Sequence, residues 1–204
     1  MKKEAFHFPY LAYVKTMRNR YRSFMMIACL SLTLGISAPM ADSRDIVLDG
    51  LFTSLQETND AGDAMRLVSE IWSRWATHPT DDSLTNRLGR GIEMMNQGDF
   101  VHAEAIFTDI ITEDPNFAEA WNRRATLYYI QGELSKSRAD IANTLALEPR
   151  HFGALSGLGM IEYALGNYEG ALRAYEQAVE VNPHMARADQ MIKDLSEKLR
   201  GMAL

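Results

Sequence analysis

Two residue types recur in this chain at a fixed interval. Gly98, Gly132 and Gly166 stand 34 residues apart, and so do Pro115, Pro149 and Pro183. Each glycine precedes its proline by 17 positions. The flanking text keeps step, with QGDF, QGEL and LGNY at the glycines and TEDPNF, ALEPRHF and VNPHM at the prolines. Both residues end helices. Glycine supplies the left-handed residue after a last turn. Proline has no amide proton to continue a helix and restricts the residue before it. Between them the apolar residues follow helical spacing, as Ala103, Phe107 and Ile110 in one interval and Ala171, Tyr175 and Ala178 in another. Each interval therefore encodes a helix–turn–helix pair. One such pair cannot bury its apolar face alone, so successive pairs must stack.

With the proline at the thirty-second place, the units begin at Leu84, Ala118 and Phe152. The second carries Trp121, Ala125 and Tyr128 at its fourth, eighth and eleventh places. The third carries Leu158-Gly159 at the seventh and eighth, then Ala171, Tyr175, Ala178 and Pro183; the first carries Gly91, Ala103, Phe107 and Pro115. This pattern resembles the tetratricopeptide repeat (TPR) family, whose period is 34 and whose consensus runs W-x2-L-G-x2-Y, A-x3-F, then P. The stretch from RATLYY to SGLG also looks like that of exported TPR proteins of proteobacteria. The departures are Arg90 and Arg124 for the seventh-place Leu, Ser137 for the twentieth-place Ala, and Glu162 beside Tyr163 for the Tyr. The resemblance implies an all-α solenoid with three repeats over 84–183, bounded as 84–117, 118–151 and 152–185.

The glycine cluster HFGALSGLGMIEYALG invites a different reading, a phosphate loop or a nucleophile turn. A phosphate loop requires G-x-x-x-x-G-K-[ST], or G-x-G-x-x-G after a strand. Neither is present, and Ser156 lacks the flanking glycines of a nucleophile elbow. The glycines, like those of LGRG at 88–91, read as packing devices, with Gly159 opposite Ala171 where paired helices approach. His78, His102, His151 and His184 share no metal-ligand spacing; His151 and His184 hold matching places beside inter-repeat prolines and read as turn residues. The EDP and TDD carboxylates read as solvated loop and cap residues. No catalytic, cofactor-binding or metal-binding set emerges, so a non-enzymatic chain without a cofactor is expected.

The charge is unevenly distributed. Residues 1–41 hold six cations (Lys2, Lys3, Lys15, Arg18, Arg20, Arg22) against Glu4, while the whole chain has a formal net charge of −6. The rest is therefore strongly acidic, which argues against a nucleic-acid partner. A cationic flank, the apolar run FMMIACLSLTLGISA at 24–38 and the small residues APMA form the pattern of a secretory signal over 1–41, cleaved after Ala38 or Ala41. The run is shorter than the roughly 20 residues of a membrane span. Translation from Met17 would shorten a long cationic region. Cys29, the one cysteine, lies in the run, and MIAC resembles a lipobox only faintly because the apolar run continues past it. A periplasmic or secreted chain is expected; the alternative is an inner-membrane protein that keeps 24–38 as its anchor, the one membrane contact foreseen.

Residues 42–83 read as an N-terminal helix pair or a degenerate repeat, since Pro79 precedes Pro115 by 36 residues. Trp72 and Trp75 are expected to cover the apolar side of the first repeat. Residues 184–204, with Ala188, Met191, Ile192, Leu195 and Leu199 on one face, read as a capping helix. The resemblance further implies that the first helix of each repeat lines a concave groove for a protein or peptide segment. The groove places carry Leu88, Ile92 and Met95 in the first repeat, Asn122, Thr126 and Tyr129 in the second, and Ser156, Met160 and Tyr163 in the third, bordered by Arg123. The Lys and Asn with which some TPR cochaperones clamp a terminal carboxylate are replaced by Leu88 and Ile92. Tyr129 is the expected anchor, and its neighbour Tyr128 the expected packing residue.

Overall fold

The computed structural model describes residues 46–202, so the cationic flank, the apolar run and Cys29 lie outside the described residues. Among the described residues there are nine α-helices and no strand. They are α1 (Ile46–Glu57), α2 (Ala61–Ala76), α3 (Asp82–Asn96), α4 (Phe100–Glu113), α5 (Ala118–Ile130), α6 (Leu134–Leu147), α7 (Phe152–Ala164), α8 (Tyr168–Val181) and α9 (Ala186–Met202). The pairs α3–α4, α5–α6 and α7–α8 are the three repeats, and α9 packs on α8 as a final layer, burying Ala188 and Leu195.

The punctuation works as its chemistry dictates. Gly98, Gly132 and Gly166 have φ of 81°, 78° and 76°. After each glycine the next amide donates back to a carbonyl in the last helical turn: Asp99 to Met94 at 2.9 Å, Glu133 to Tyr128 at 2.8 Å and Asn167 to Glu162 at 2.9 Å. These are three copies of one left-handed C-terminal cap. At the other joint, the residues before the prolines, Asp114, Glu148 and Asn182, are all extended, with φ/ψ of −133°/96°, −133°/93° and −128°/95°. That conformation is what a following proline favours. Each side chain also accepts from the amide two residues on, at 2.9, 2.9 and 3.0 Å. Three joints of one geometry let successive pairs stack in the same way, which is how a solenoid is built.

Within each pair a small residue lets the helices approach. A Cβ on Gly91 would lie 2.5 Å from the Phe107 ring, and one on Gly159 would lie 2.8 Å from the Tyr175 ring. The partner of Gly159 is thus the Tyr175 ring, where Ala171 was expected. The consensus departures have local compensation. Ser137 is buried and donates to the Ala125 carbonyl at 2.7 Å. Arg124 forms a two-pronged pair with buried Asp140 at 2.7 and 3.0 Å and donates to Thr108 Oγ1 at 3.0 Å.

The N-terminal pair is placed differently from a repeat. Trp72 and Trp75 do not cover the first repeat. Trp75 stacks on His151, with ring centroids 4.0 Å apart and planes 12° from parallel, and Trp72 meets His151 and Phe152 edge-on. Helix α2 runs along the row of inter-repeat joints, from its C-terminal to its N-terminal end. His78, just past it, contacts Asp114 and Phe117 at the first joint. Trp75 sits at the second, and Ala61, Ala64 and Met65 face Pro183 and His184 at the third. Helix α1 follows the same line: Asp49 pairs with Arg150 at 2.7 Å, and the Leu55 carbonyl accepts from His184 Nε2 at 3.1 Å. The physical reason is size. The two tryptophans need a deep apolar seat, and Phe152, Val181 and Met185 provide one together with the hairpin's own Leu55 and Ile71.

Candidate functional site: a cleft between the repeats and the N-terminal hairpin

The first helices of the second and third repeats, α5 and α7, lie side by side on the face turned toward α2. Between them is a cleft of about 450 Å³. Helix α5 contributes Asn122, Arg123, Thr126 and Tyr129; α7 contributes Gly153, Ser156 and Met160; Val68 and Trp72 of α2 form one wall. A second cleft of about 510 Å³ continues it toward α9. Tyr129, Ser156, Met160 and Met185 border both, and Tyr163, Tyr175, Arg187 and Met191 border the second.

One wall exists because of a glycine. A Cβ on Gly153 would stand 2.5 Å from Trp72 Cη2 and 2.7 Å from Cζ2. A larger residue at 153 would force the indole to shift. Beneath the wall lies a buried polar knot. Glu119 is fully buried and accepts from Asn122 at 2.9 Å, Arg123 at 2.5 Å and His151 at 3.0 Å. The other ring nitrogen of His151 accepts from the Ala154 amide at 3.1 Å, capping α7. With Nδ1 accepting, Nε2 is the ring nitrogen that donates to Glu119. Burial pushes the Glu119 carboxyl up, but its three donors together hold it below the ordinary glutamate value. The Arg123 guanidinium, anchored on Glu119, lies 5.5 Å over the Trp72 ring. Glu119, Arg123 and His151 thus fasten hairpin, second repeat and third repeat at one point.

The two central tyrosines divide. Tyr128 is buried in the core of the first two repeats and donates to Glu104 at 2.8 Å. Burial and that carboxylate push its hydroxyl up to about 12. Tyr129 is half-buried and lines both clefts. Asn122, Arg123, Thr126, Ser156, Met160 and Tyr163 share this face with it. Ile92 and Met95 do not: Met95 is buried in the core between the first two repeats and Ile92 packs against that core, as does Leu88. Their longer apolar side chains turn toward α5, where the second repeat offers Leu127 and Tyr128. Asn122, although in the cleft wall, is engaged by Glu119.

Val68, Met185, Arg187 and Met191 were not foreseen in this face. Val68, Arg187 and Met191 belong to the flanks and Met185 is the last residue of the third repeat, and the 34-residue pattern carries no signal for any of them. Gly153 was visible, but nothing in its immediate sequence names an indole 81 positions earlier as its partner. Among the described residues no group of three or more His, Cys, Asp or Glu is arranged to hold a metal ion, and no helix is long and apolar enough to cross a membrane.

A stack of helix pairs, each turning at a left-handed glycine and closed by a proline, defines a helical-repeat solenoid with a cleft along the first helices of its second and third pairs. Tetratricopeptide repeat models match residues 88–151 and 153–185. A TPR repeat-containing protein of Rhizobium etli is 36% identical over 155 residues, covering 76% of this chain and 75% of that protein. The chain belongs to the tetratricopeptide repeat family. Solved structures share the fold: the first TPR of Spaghetti (RPAP3) bound to HSP90 peptide SRMEEVD (TM-score 0.56, 23% identity, 58% of this chain and 94% of that one), and the Yersinia enterocolitica type III secretion chaperone SycD in complex with a peptide of the translocator YopD (TM-score 0.55, 11% identity, 60% and 98%).

Proposed function

We propose that this chain is a non-enzymatic interaction module that holds a segment of a partner protein in the cleft between α5, α7 and α9. One observation carries the reading. Adjacent tyrosines on one helix have opposite surroundings, and the one left half-exposed lies where the two clefts meet. Half-exposed aromatic residues at the centre of a concave apolar face are where binding energy concentrates. The peptides named with the RPAP3 and SycD structures support a peptide as occupant. Replacing Tyr129 by Ala should weaken capture of the partner by roughly 30-fold, as a loss of about 2 kcal/mol implies, and leave the melting temperature unchanged. Unaltered capture by a folded Tyr129→Ala protein contradicts the reading.

We also propose that the module works in a bacterial envelope. The support is the cationic flank, the 15-residue apolar run at 24–38 and the small residues after it. The intact mass of the protein from an envelope fraction should correspond to a chain starting at Pro39 or Asp42. A second reading, an assembly factor held in the inner membrane by an uncleaved run, draws on Pro39, which follows directly on Ala38. A full-length mass in the membrane fraction selects it.

A further inference from the structure

The charge of the cleft is opposite to the charge of the chain around it. Beyond residue 41 acids well outnumber bases, yet no carboxylate lines either cleft, and the ionic groups that do are Arg123 and Arg187. Elsewhere the surface mixes signs: the hollow between α6, α7 and α8 holds Arg138 and Arg173 with Glu162, and the one against α2 and α9 holds Asp189. The two arginines differ in state. Arg123 is fastened to buried Glu119, whereas Arg187 is exposed at the start of α9, without an ion-pair partner among the described residues, and its charge is felt by the Tyr175 hydroxyl. A free cation beside a surface of Tyr129, Tyr163, Met160 and Met191 recognises an apolar side chain with an acid next to it. It also fixes where the acid goes. The positions in the first repeat that could hold a chain-terminal carboxylate are filled by Leu88 and Ile92, which pack into the core, and the free cation stands at the opposite end of the solenoid.

We infer that the cleft takes an internal segment of a partner protein, apolar residues flanked by Asp or Glu, with the acidic side chain read by Arg187 of the capping helix and no free C-terminal carboxylate required. The inference rests on the cleft being the binding site, and the test separates the two. A random-peptide display library is selected against the full chain, and the recovered peptides are synthesised both as free acids and as C-terminal amides. Binding is measured by fluorescence anisotropy to the wild-type, Arg187→Glu and Tyr129→Ala proteins. Recovered peptides should combine Leu, Phe or Met with adjacent Asp or Glu and bind equally well as amides. They should bind Arg187→Glu about five- to tenfold more weakly, as loss of a partly exposed pair with charge reversal implies, and the deficit should shrink at high salt. Arg187 is exposed, so circular dichroism should show an unchanged fold. Peptides that depend on Tyr129 yet lack acids, ignore Arg187→Glu or bind only as free acids overturn the inference and leave the cleft reading standing. If no recovered peptide depends on Tyr129, both fall.

Discussion

The α1–α2 hairpin and the α7–α8 repeat are both antiparallel helix pairs of similar length, yet one is a rung of the solenoid and the other lies along its joints. The difference is in the punctuation. The repeat turns at Gly166, with φ of 76°, and ends in an extended residue directly before Pro183. The hairpin turns through Asn59 and Asp60 with no left-handed residue, and α2 ends at Ala76, leaving Thr77 and His78 before Pro79. Those added positions break the register that makes successive pairs stack. His78 then turns its ring to Asp114 at 2.7 Å and accepts from the Asp81 amide at 3.0 Å, as His151 does with Glu119 and Ala154. The same histidine device serves both joints, but at the first it redirects the chain. The lesson is that helix content is set by apolar spacing, while the arrangement of the pairs is set by one or two residues at the joints.

The repeats should be the harder part to damage without global loss. Tyr128→Ala removes a buried ring and its hydrogen bond to Glu104, and should cost about 3–5 kcal/mol in chemical denaturation. Ala171→Trp forces an indole into the fully buried joint of α7 and α8 and should cost about 1–3 kcal/mol or more. An unchanged melting temperature in that variant contradicts the packing of the third repeat.

The hairpin should respond to acid through the knot beneath it. The folded Glu119 carboxyl lies below its ordinary value of 4.5. A carboxylate depressed on folding contributes stability that is fully present above its unfolded value and is lost as pH falls through the folded one. Asp114, whose carboxyl is also lowered, by its hydrogen bonds from His78 and Asn116 against the opposing effect of burial, acts in the same direction. Melting temperature should therefore decline as pH drops below about 4.5. Amide exchange should show the hairpin loosening before α4 and α5. In Glu119→Gln this acid sensitivity should be smaller. The mildest change is Tyr129→Ala, which should alter stability by no more than about 0.5 kcal/mol, in contrast to its neighbour.

Much of the repeat architecture was legible because it is written in a period. Two residue types at 34-residue intervals gave the helix boundaries, and α5 and α7 begin at Ala118 and Phe152, where the period puts them. The first repeat starts two residues early, at Asp82, because Asp81 caps it by accepting from Ser83 and Leu84. The cleft face was legible where groove positions have room beside them, as at Tyr129 and Met160. It was not legible at Met95, because the same position becomes core when an apolar side chain finds Leu127 and Tyr128 across the joint. The hairpin's place was hidden for a different reason. Its partners are Gly153, His151 and Phe152, far along the chain, and a single sequence carries no sign of which glycine accepts which indole.

The hairpin's seat on the third repeat depends on Trp72 lying against Gly153, and a double-mutant cycle reads that contact directly. In the wild-type background Gly153→Ala should lower stability by about 1–3 kcal/mol, since the added methyl meets the ring. In the Trp72→Ala background the same substitution should become favourable by about 0.5–1 kcal/mol, because alanine is the better helix former once the ring is gone. A change of sign places the hairpin on the third repeat. Gly153→Ala that stabilises both backgrounds alike would contradict it.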